Sequence, residues 1–138
     1  MATINVDFDG SLVTHAFPEI GDDIGAVPVL KTLVENGHQL ILFTMRSDNK
    51  NGNYLTQAVN WFKKHDIPLY GIQTNPTQSS WTSSPKSYAQ YLLDDSAIGT
   101  PLVRPENERP YVDWKKVIFL LVQEGLITEA QCYKLFHT

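Results

Sequence analysis

A single cysteine, Cys132, leaves no internal disulfide to form in this chain. Nor is there an apolar run near the ~20 residues of a membrane span; the richest window is Val117-Ile118-Phe119-Leu120-Leu121-Val122. The N-terminus carries neither a basic stretch nor a long apolar one, so the expected compartment is a reducing cytoplasm, with no membrane partner. Basic residues are the minority, 11 Lys and Arg against 15 Asp and Glu. The resulting net charge of -4 gives no broad basic surface to hold nucleic acid or anionic lipid. Repeats and low-complexity tracts are missing as well, which excludes a solenoid and a disordered tail. What remains is globular in composition, 42% apolar and 11% aromatic, and of a length that fits one domain over residues 1–138.

The most informative stretch is Thr3-Ile4-Asn5-Val6-Asp7-Phe8-Asp9-Gly10-Ser11. Ile4, Val6 and Phe8 alternate with Asn5, Asp7 and Asp9, so an extended chain sends three apolar groups to one side and three polar groups to the other. At about 3.3 Å rise per residue, Asp7 and Asp9 fall roughly 6 to 7 Å apart on one side, within reach of one small substrate or one cation. Gly10 permits a sharp exit. Taken alone, this reads more readily as a half-exposed strand with an acidic edge running into a turn.

The rest of the chain changes that balance. Residues 12–26 read as a flap loop containing Gly21, Gly25, Pro18, Asp22 and Asp23. Val27, Leu30, Leu33 and Val34 then recur at helical spacing, with Pro28 in the first turn and Gly37 at the C-terminal cap. Leu40-Ile41-Leu42-Phe43 is a continuous apolar strand ending at Thr44. Arg46 to Asn53 reads as loop, and Leu55, Ala58, Val59 and Phe62 mark a second helix ending near His65. A short third strand is expected over Leu69 to Gln73, an irregular crossover over Thr74 to Ser84, and a fourth strand over Tyr88 to Leu93, running into Asp94 and Asp95. Leu102-Val103 is a marginal fifth strand between prolines. Asp113 caps one C-terminal helix that Gly125 ends, and Thr128 with Gln131 forms a capping box for another, the pair spanning residues 113–137. Strand alternating with helix predicts an α/β fold with a parallel sheet and right-handed crossovers, whose ligands bind at the carboxyl ends of the strands. Asp7, Asp9, Thr44, Asp94 and Asp95 all fall at such ends.

Carboxylates gathered at one sheet edge repel, by about 4 kcal/mol for a pair about 4 Å apart at an effective dielectric near ~20. A cation must offset this. Hard oxygen ligands without a His or Cys cluster favour Mg²⁺, which bridges carboxylates to phosphate while keeping waters. The expected substrate is therefore phosphorylated. Attack on phosphorus by an Asp needs a metal, a Lys and a hydroxyl around the phosphoryl oxygens, which Thr44 and Lys86 can supply, and a second acid/base group, for which Asp9 is placed.

In order, Asp7-Phe8-Asp9-Gly10-Ser11, Thr44 after Leu40-Ile41-Leu42-Phe43, Lys86 in Ser84-Pro85-Lys86, and Asp94-Asp95 after Tyr91-Leu92-Leu93 resemble the four motifs of the haloacid dehalogenase (HAD) superfamily of phosphohydrolases. Trp81 to Lys86, Leu93 to Gly99 and Arg109 to Trp114 also resemble small bacterial and phage members. The resemblance implies a three-layer Rossmann-like sheet with helices on both faces and no large cap domain. It implies Asp7 as nucleophile and metal ligand, Asp9 as acid/base and main-chain metal ligand, and Thr44 and Lys86 as phosphate ligands. Asp94 and Asp95 would hold Mg²⁺, in an order the motif leaves open. Ser11 replaces the more usual Thr or Val at a position whose main-chain role tolerates the change. Capless relatives act on phosphate attached to a large molecule or borrow a lid from a second subunit, so a homodimer and a macromolecular substrate both stay open.

Several residues carry competing readings. Arg46, two residues past Thr44, is either a bidentate grip for a substrate anion or a solvated loop residue. His15 is expected to be exposed, Trp81 to anchor its loop, and Cys132 to be a buried thiol. Two further classes compete with the phosphatase. A phosphate- or nucleotide-binding module would keep the metal site without turnover. A response-regulator receiver fails because the third strand ends at Gln73-Thr74 without a carboxylate, and an EF-hand fails because glycine comes too early and no Glu lies twelve positions along.

Overall fold

The structure is a computed structural model that describes all residues, Met1 to Thr138. Its centre is a four-stranded, fully parallel sheet in the order β5-β2-β1-β6, built from β1 (Thr3–Val6), β2 (Gln39–Leu42), β5 (Gly71–Ile72) and β6 (Tyr91–Leu93). Helix α1 (Ala26–Glu35) connects β1 to β2, and α2 (Tyr54–Lys64) connects β2 to β5. The chain then returns across the sheet to place β6 on the other side of β1. Strand β1 is thus flanked by strands whose connections leave in opposite directions, the switch point at which such sheets open a crevice.

Ile4, Val6, Leu40 and Leu42 lie on one face in matching register and enter a single hydrophobic cluster. Val29, Leu30 and Leu33 of α1 and Ala58, Trp61 and Phe62 of α2 join it, as do Val117, Ile118 and Leu121 of α3 (Trp114–Gln123) and Cys132 of α4 (Glu129–Phe136). The opposite face is covered differently from the expectation of helices on both sides. Asn5 and Ser87 exchange hydrogen bonds there, and Asn75 and Gln78 are buried in the segment linking β5 to β6, whose only regular element is a 3-10 turn at Gln78–Ser80. Ser, Thr and Pro in this segment favour side-chain-to-backbone turns over helix.

Helix ends follow one rule. After α1, Gly37 stands at φ 88, with His38 N–H donating to Leu33 O and Gly37 N–H to Val34 O. After α3, Gly125 stands at φ 75 with the same two bonds shifted to Leu121 and Val122. The end of α2 uses Asp66 instead, at φ 56, a left-handed position that only Gly, Asn and Asp adopt readily. Asp113 caps α3 through Lys116 N–H, and the Thr128–Gln131 capping box is formed as the sequence predicts.

Two short ribbons depart from expectation. The stretch Arg46 to Asn53, expected as loop, contains the antiparallel pair β3 (Asp48–Asn49) and β4 (Gly52–Asn53). Asp48 then accepts from Thr56 N–H at 2.9 Å and Thr56 Oγ1 at 2.6 Å, serving as the cap that Asn53 does not supply to α2. Strand β7 (Leu102–Val103) pairs with β8 (Tyr111–Val112) in a hairpin of its own rather than extending the central sheet. That hairpin is fastened to the acidic loop: Val112 N–H donates to Gly10 O at 2.9 Å, and Trp114 Nε1 donates to Ser11 O at 2.8 Å. No helix is long and apolar enough to cross a membrane.

Candidate functional site

Because β1 and β6 run side by side in the same direction, the residues that follow each strand emerge together. Asp7 N–H still donates to Leu93 O, at 2.9 Å, and this extends the pairing one step past β1. Asp7, Asp94 and Asp95 each present a carboxylate oxygen to one point, all within 4.8 Å of one another. Ser11 sits beneath them, fully buried. Its hydroxyl accepts from Asp95 N–H at 2.9 Å, and its own proton faces Asp7 Oδ2 at 3.0 Å and Asp95 Oδ1 at 3.1 Å. Ser11 therefore contributes its side chain, where the sequence suggested only its main chain.

His15 is not the exposed flap residue expected. Its Nε2 lies 3.1 Å from Asp95 Oδ2, and only 14% of its side chain is exposed. Leu12 and Val13 of the same segment are fully buried, so the start of the flap is part of the core. Gly10 lets the two halves meet: it stands at φ 80, and a Cβ there would collide with the His15 ring and the Asp95 carboxylate.

Electrostatics mark Asp7 as the frustrated member of the cluster. Burial, the hydrogen bond shared with Asp95 and the charge of Asp94 together push its carboxyl up to about 8, against weaker opposition from the Phe8 main chain and Ser11. Burial also pushes Asp95 upward, but hydrogen bonds with Asp7 and Ser11 and the neighbouring His15 outweigh it and leave that carboxylate below its usual range. The contact between the two thus favours the protonated form of Asp7 and the ionised form of Asp95. Asp94 satisfies one oxygen locally, Oδ1 accepting from Ser96 N–H and Oγ.

The Asp9 carboxylate is not part of this cluster. Both its oxygens are taken by Arg46, Nε to Oδ2 and Nη2 to Oδ1, each at 2.8 Å. The remaining Arg46 donors go to the carbonyls of Pro18, Glu19 and Tyr54, and its guanidinium lies 5.1 Å from the ring centroids of both Phe8 and Phe17. All five N–H groups are used and the residue is 2% exposed. Arg46 is therefore neither a solvated loop residue nor free to grip a substrate anion; it positions Asp9.

Thr44 lies at the cavity wall as expected. Its Oγ1 accepts from Arg46 N–H at 3.1 Å, leaving its own proton to donate. Gln73, which sequence reasoning passed over, brackets it: Gln73 Oε1 accepts from Thr44 N–H at 2.9 Å and Nε2 donates to Thr44 O at 2.7 Å. Lys86 is brought to the same side of the sheet, next to the Ser87 that bonds Asn5, but it is exposed, its side chain has no partner, and it does not line the cavity. Arg109 lines it instead, together with Phe17 and Met45 at the rim. Trp81 is 59% exposed and edge-on to Tyr88, so it does not anchor its loop in the core, whereas Asn75 is buried and bonds Tyr88 O. Cys132 is buried, as expected.

Fold and site together define an α/β protein with a carboxylate cluster at the carboxyl edge of a parallel sheet, in a cavity of about 470 Å³. No family model matches the chain, and no curated protein matches it. Among solved structures it is similar to one described as the structure of the conserved protein coded by locus from Bacteroides thetaiotaomicron. The two are 31% identical over 96% of this chain and 97% of that one, with a TM-score of 0.68. The chain belongs to the same family as that Bacteroides protein.

Proposed function

We propose that this protein is a Mg²⁺-dependent phosphomonoester hydrolase of the haloacid dehalogenase type, working through a phosphorylated Asp7. The observation that carries the reading is the meeting of Asp7, Asp94 and Asp95 within 4.8 Å in a cavity that also holds Thr44. The donor set fits a hard divalent ion: three carboxylates that each offer an oxygen within 4.8 Å of the others. Asp7, Asp94 and Asp95 would hold the Mg²⁺, which would supply positive charge against which a nucleophile and a phosphoryl dianion could approach each other.

The chain's own groups then divide the work. An Asp7 oxygen forms a bond to phosphorus, the bond from phosphorus to the leaving oxygen breaks, and that oxygen takes a proton from Asp9. Water then attacks the aspartyl phosphate, gives its proton to Asp9 and releases inorganic phosphate with Asp7 restored. Thr44 donates its hydroxyl to a phosphoryl oxygen. Lys86 reaches the same group only by swinging in from solvent. Asp9 has to rotate out of the Arg46 fork for either proton transfer. The lack of a large cap, a cytoplasmic location, and closure of the open site by a large substrate or a second subunit belong to the same proposal.

Phosphate release from p-nitrophenyl phosphate and a panel of nucleotides and sugar phosphates, with and without Mg²⁺, tests this reading. The expected result is Mg²⁺-dependent turnover that Asp7→Asn abolishes; metal-independent turnover, or full activity in Asp7→Asn, rejects it. A second reading is a metal-dependent phosphate- or nucleotide-binding module with negligible turnover. The Arg46 grip on both Asp9 oxygens and the absence of Lys86 from the cavity favour it. Tight Mg²⁺-dependent binding without phosphate release distinguishes the two.

A further inference from the structure

In-line transfer places the leaving group opposite the attacking oxygen. Asp7 is half-buried on the floor of the cavity over the fully buried Ser11, so the leaving group of a bound phosphoester faces the mouth. Three segments form that mouth: Phe17, 57% exposed; Met45, 97% exposed; and Arg109, from the β7–β8 connection. Among the basic side chains of the cavity, Arg46 has all five donors engaged in the core and His15 faces Asp95. Arg109 makes no hydrogen bond or ion pair, although it stands at an acidic cavity. Its root is fixed, because Pro110 follows it and Val112, three residues on, bonds Gly10 O of the acidic loop.

We propose that Arg109 is a specificity-determining residue that binds an anionic substituent on the leaving group, and that the substrates are phosphomonoesters carrying a second phosphate or a carboxylate. This rests on the phosphatase reading above. A planar guanidinium suits both anions, which accept two parallel N–H bonds. Phe17 and Met45 give the uncharged body of the leaving group an apolar edge to lie against.

Phenyl phosphate, 3-carboxyphenyl phosphate and 1,3-phenylene bisphosphate test it, as substrates of the full chain with Mg²⁺ and as ligands by calorimetry. The wild type is expected to prefer the charged esters in kcat/KM and in affinity. Arg109→Ala should lower the charged-to-uncharged ratio about tenfold or more, with partial recovery in Arg109→Lys. Which charged ester is favoured separates carboxylate from phosphate. An unchanged ratio in Arg109→Ala, or equal binding of all three esters by the wild type, overturns the assignment. Failure of the wild type to turn over any ester overturns the phosphatase reading instead, and the calorimetric ratio then still decides the role of Arg109.

Discussion

Arg46 meets Asp9 as a fork meets a carboxylate, Nε to Oδ2 and Nη2 to Oδ1, both at 2.8 Å, with 1% of the Arg46 side chain exposed. The same guanidinium ties residues 18 and 19 of the segment before α1 to the first residue of α2. Removing one partner of a buried pair strands the other, at about 3–5 kcal/mol. Arg46→Ala is therefore expected to lower unfolding stability by about that much in urea titration. Arg46→Lys, with three donors in place of a planar five, should fall between the two. A loss under ~0.5 kcal/mol in Arg46→Ala, the usual range for surface changes, would show that the pair does not hold the loop.

Asp7 sets a pH dependence with a definite sign. Its carboxyl titrates near 8 in the folded chain against 3.8 ordinarily, so between those values the folded state binds the extra proton. Stability from this group is therefore highest in acid and falls as pH rises from about 4 to about 8. Asp7→Asn removes the titration. In metal-free protein it should melt higher than the wild type at pH 8, with the gap closing as pH falls toward 4. Mg²⁺ should raise the wild-type melting temperature at pH 8 and leave Asp7→Asn nearly unchanged. Parallel melting curves for the two proteins from pH 5 to pH 8 would contradict this account of the cluster.

Gly10 leaves room for the His15 ring and the Asp95 carboxylate to meet. At φ 80 a Cβ costs about 1–2 kcal/mol in backbone strain, and here it also displaces the His15 ring from Asp95. Gly10→Ala should lose that stability and weaken Mg²⁺ binding, whereas Gly37→Ala, also at positive φ but with nothing within 4 Å of its Cβ, should lose stability alone. Calorimetric Mg²⁺ titration of both variants separates strain from the local collision. Equal Mg²⁺ affinity in the two would remove the His15–Asp95 contact from the argument.

The parts of this site that could be read from sequence are those that a strand writes in its own period. Ile4, Val6 and Phe8 announce β1, and a parallel sheet then brings Asp7 to Asp94 and Asp95 however many residues intervene. Arg46 could not be read in the same way, because its partners lie at positions 9, 18, 19 and 54 and no local pattern links them. Strands of two residues carry no period either. With β8 unseen, nothing in the sequence indicated that the β7–β8 turn would bring Arg109 to the cavity. Gln73 was hidden for another reason: its role depends on φ 66 at the end of β5, a conformation its residue type does not advertise.

Lys86 offers the sharpest separation of folding from function. It is exposed and its side chain has no partner, so Lys86→Ala should change unfolding stability by no more than a surface substitution does, about 0.5 kcal/mol. If the ammonium swings in to meet the phosphoryl group, the same variant should lose turnover on every ester alike, charged or uncharged, because the transferring group is common to all. Arg109→Ala should instead act selectively on the charged ones. The two cations thus leave different kinetic signatures: a uniform fall in kcat for residue 86 and a change in substrate ratio for residue 109. Turnover in Lys86→Ala equal to that of the wild type would mean that the phosphoryl charge is met by the metal and Thr44 without it.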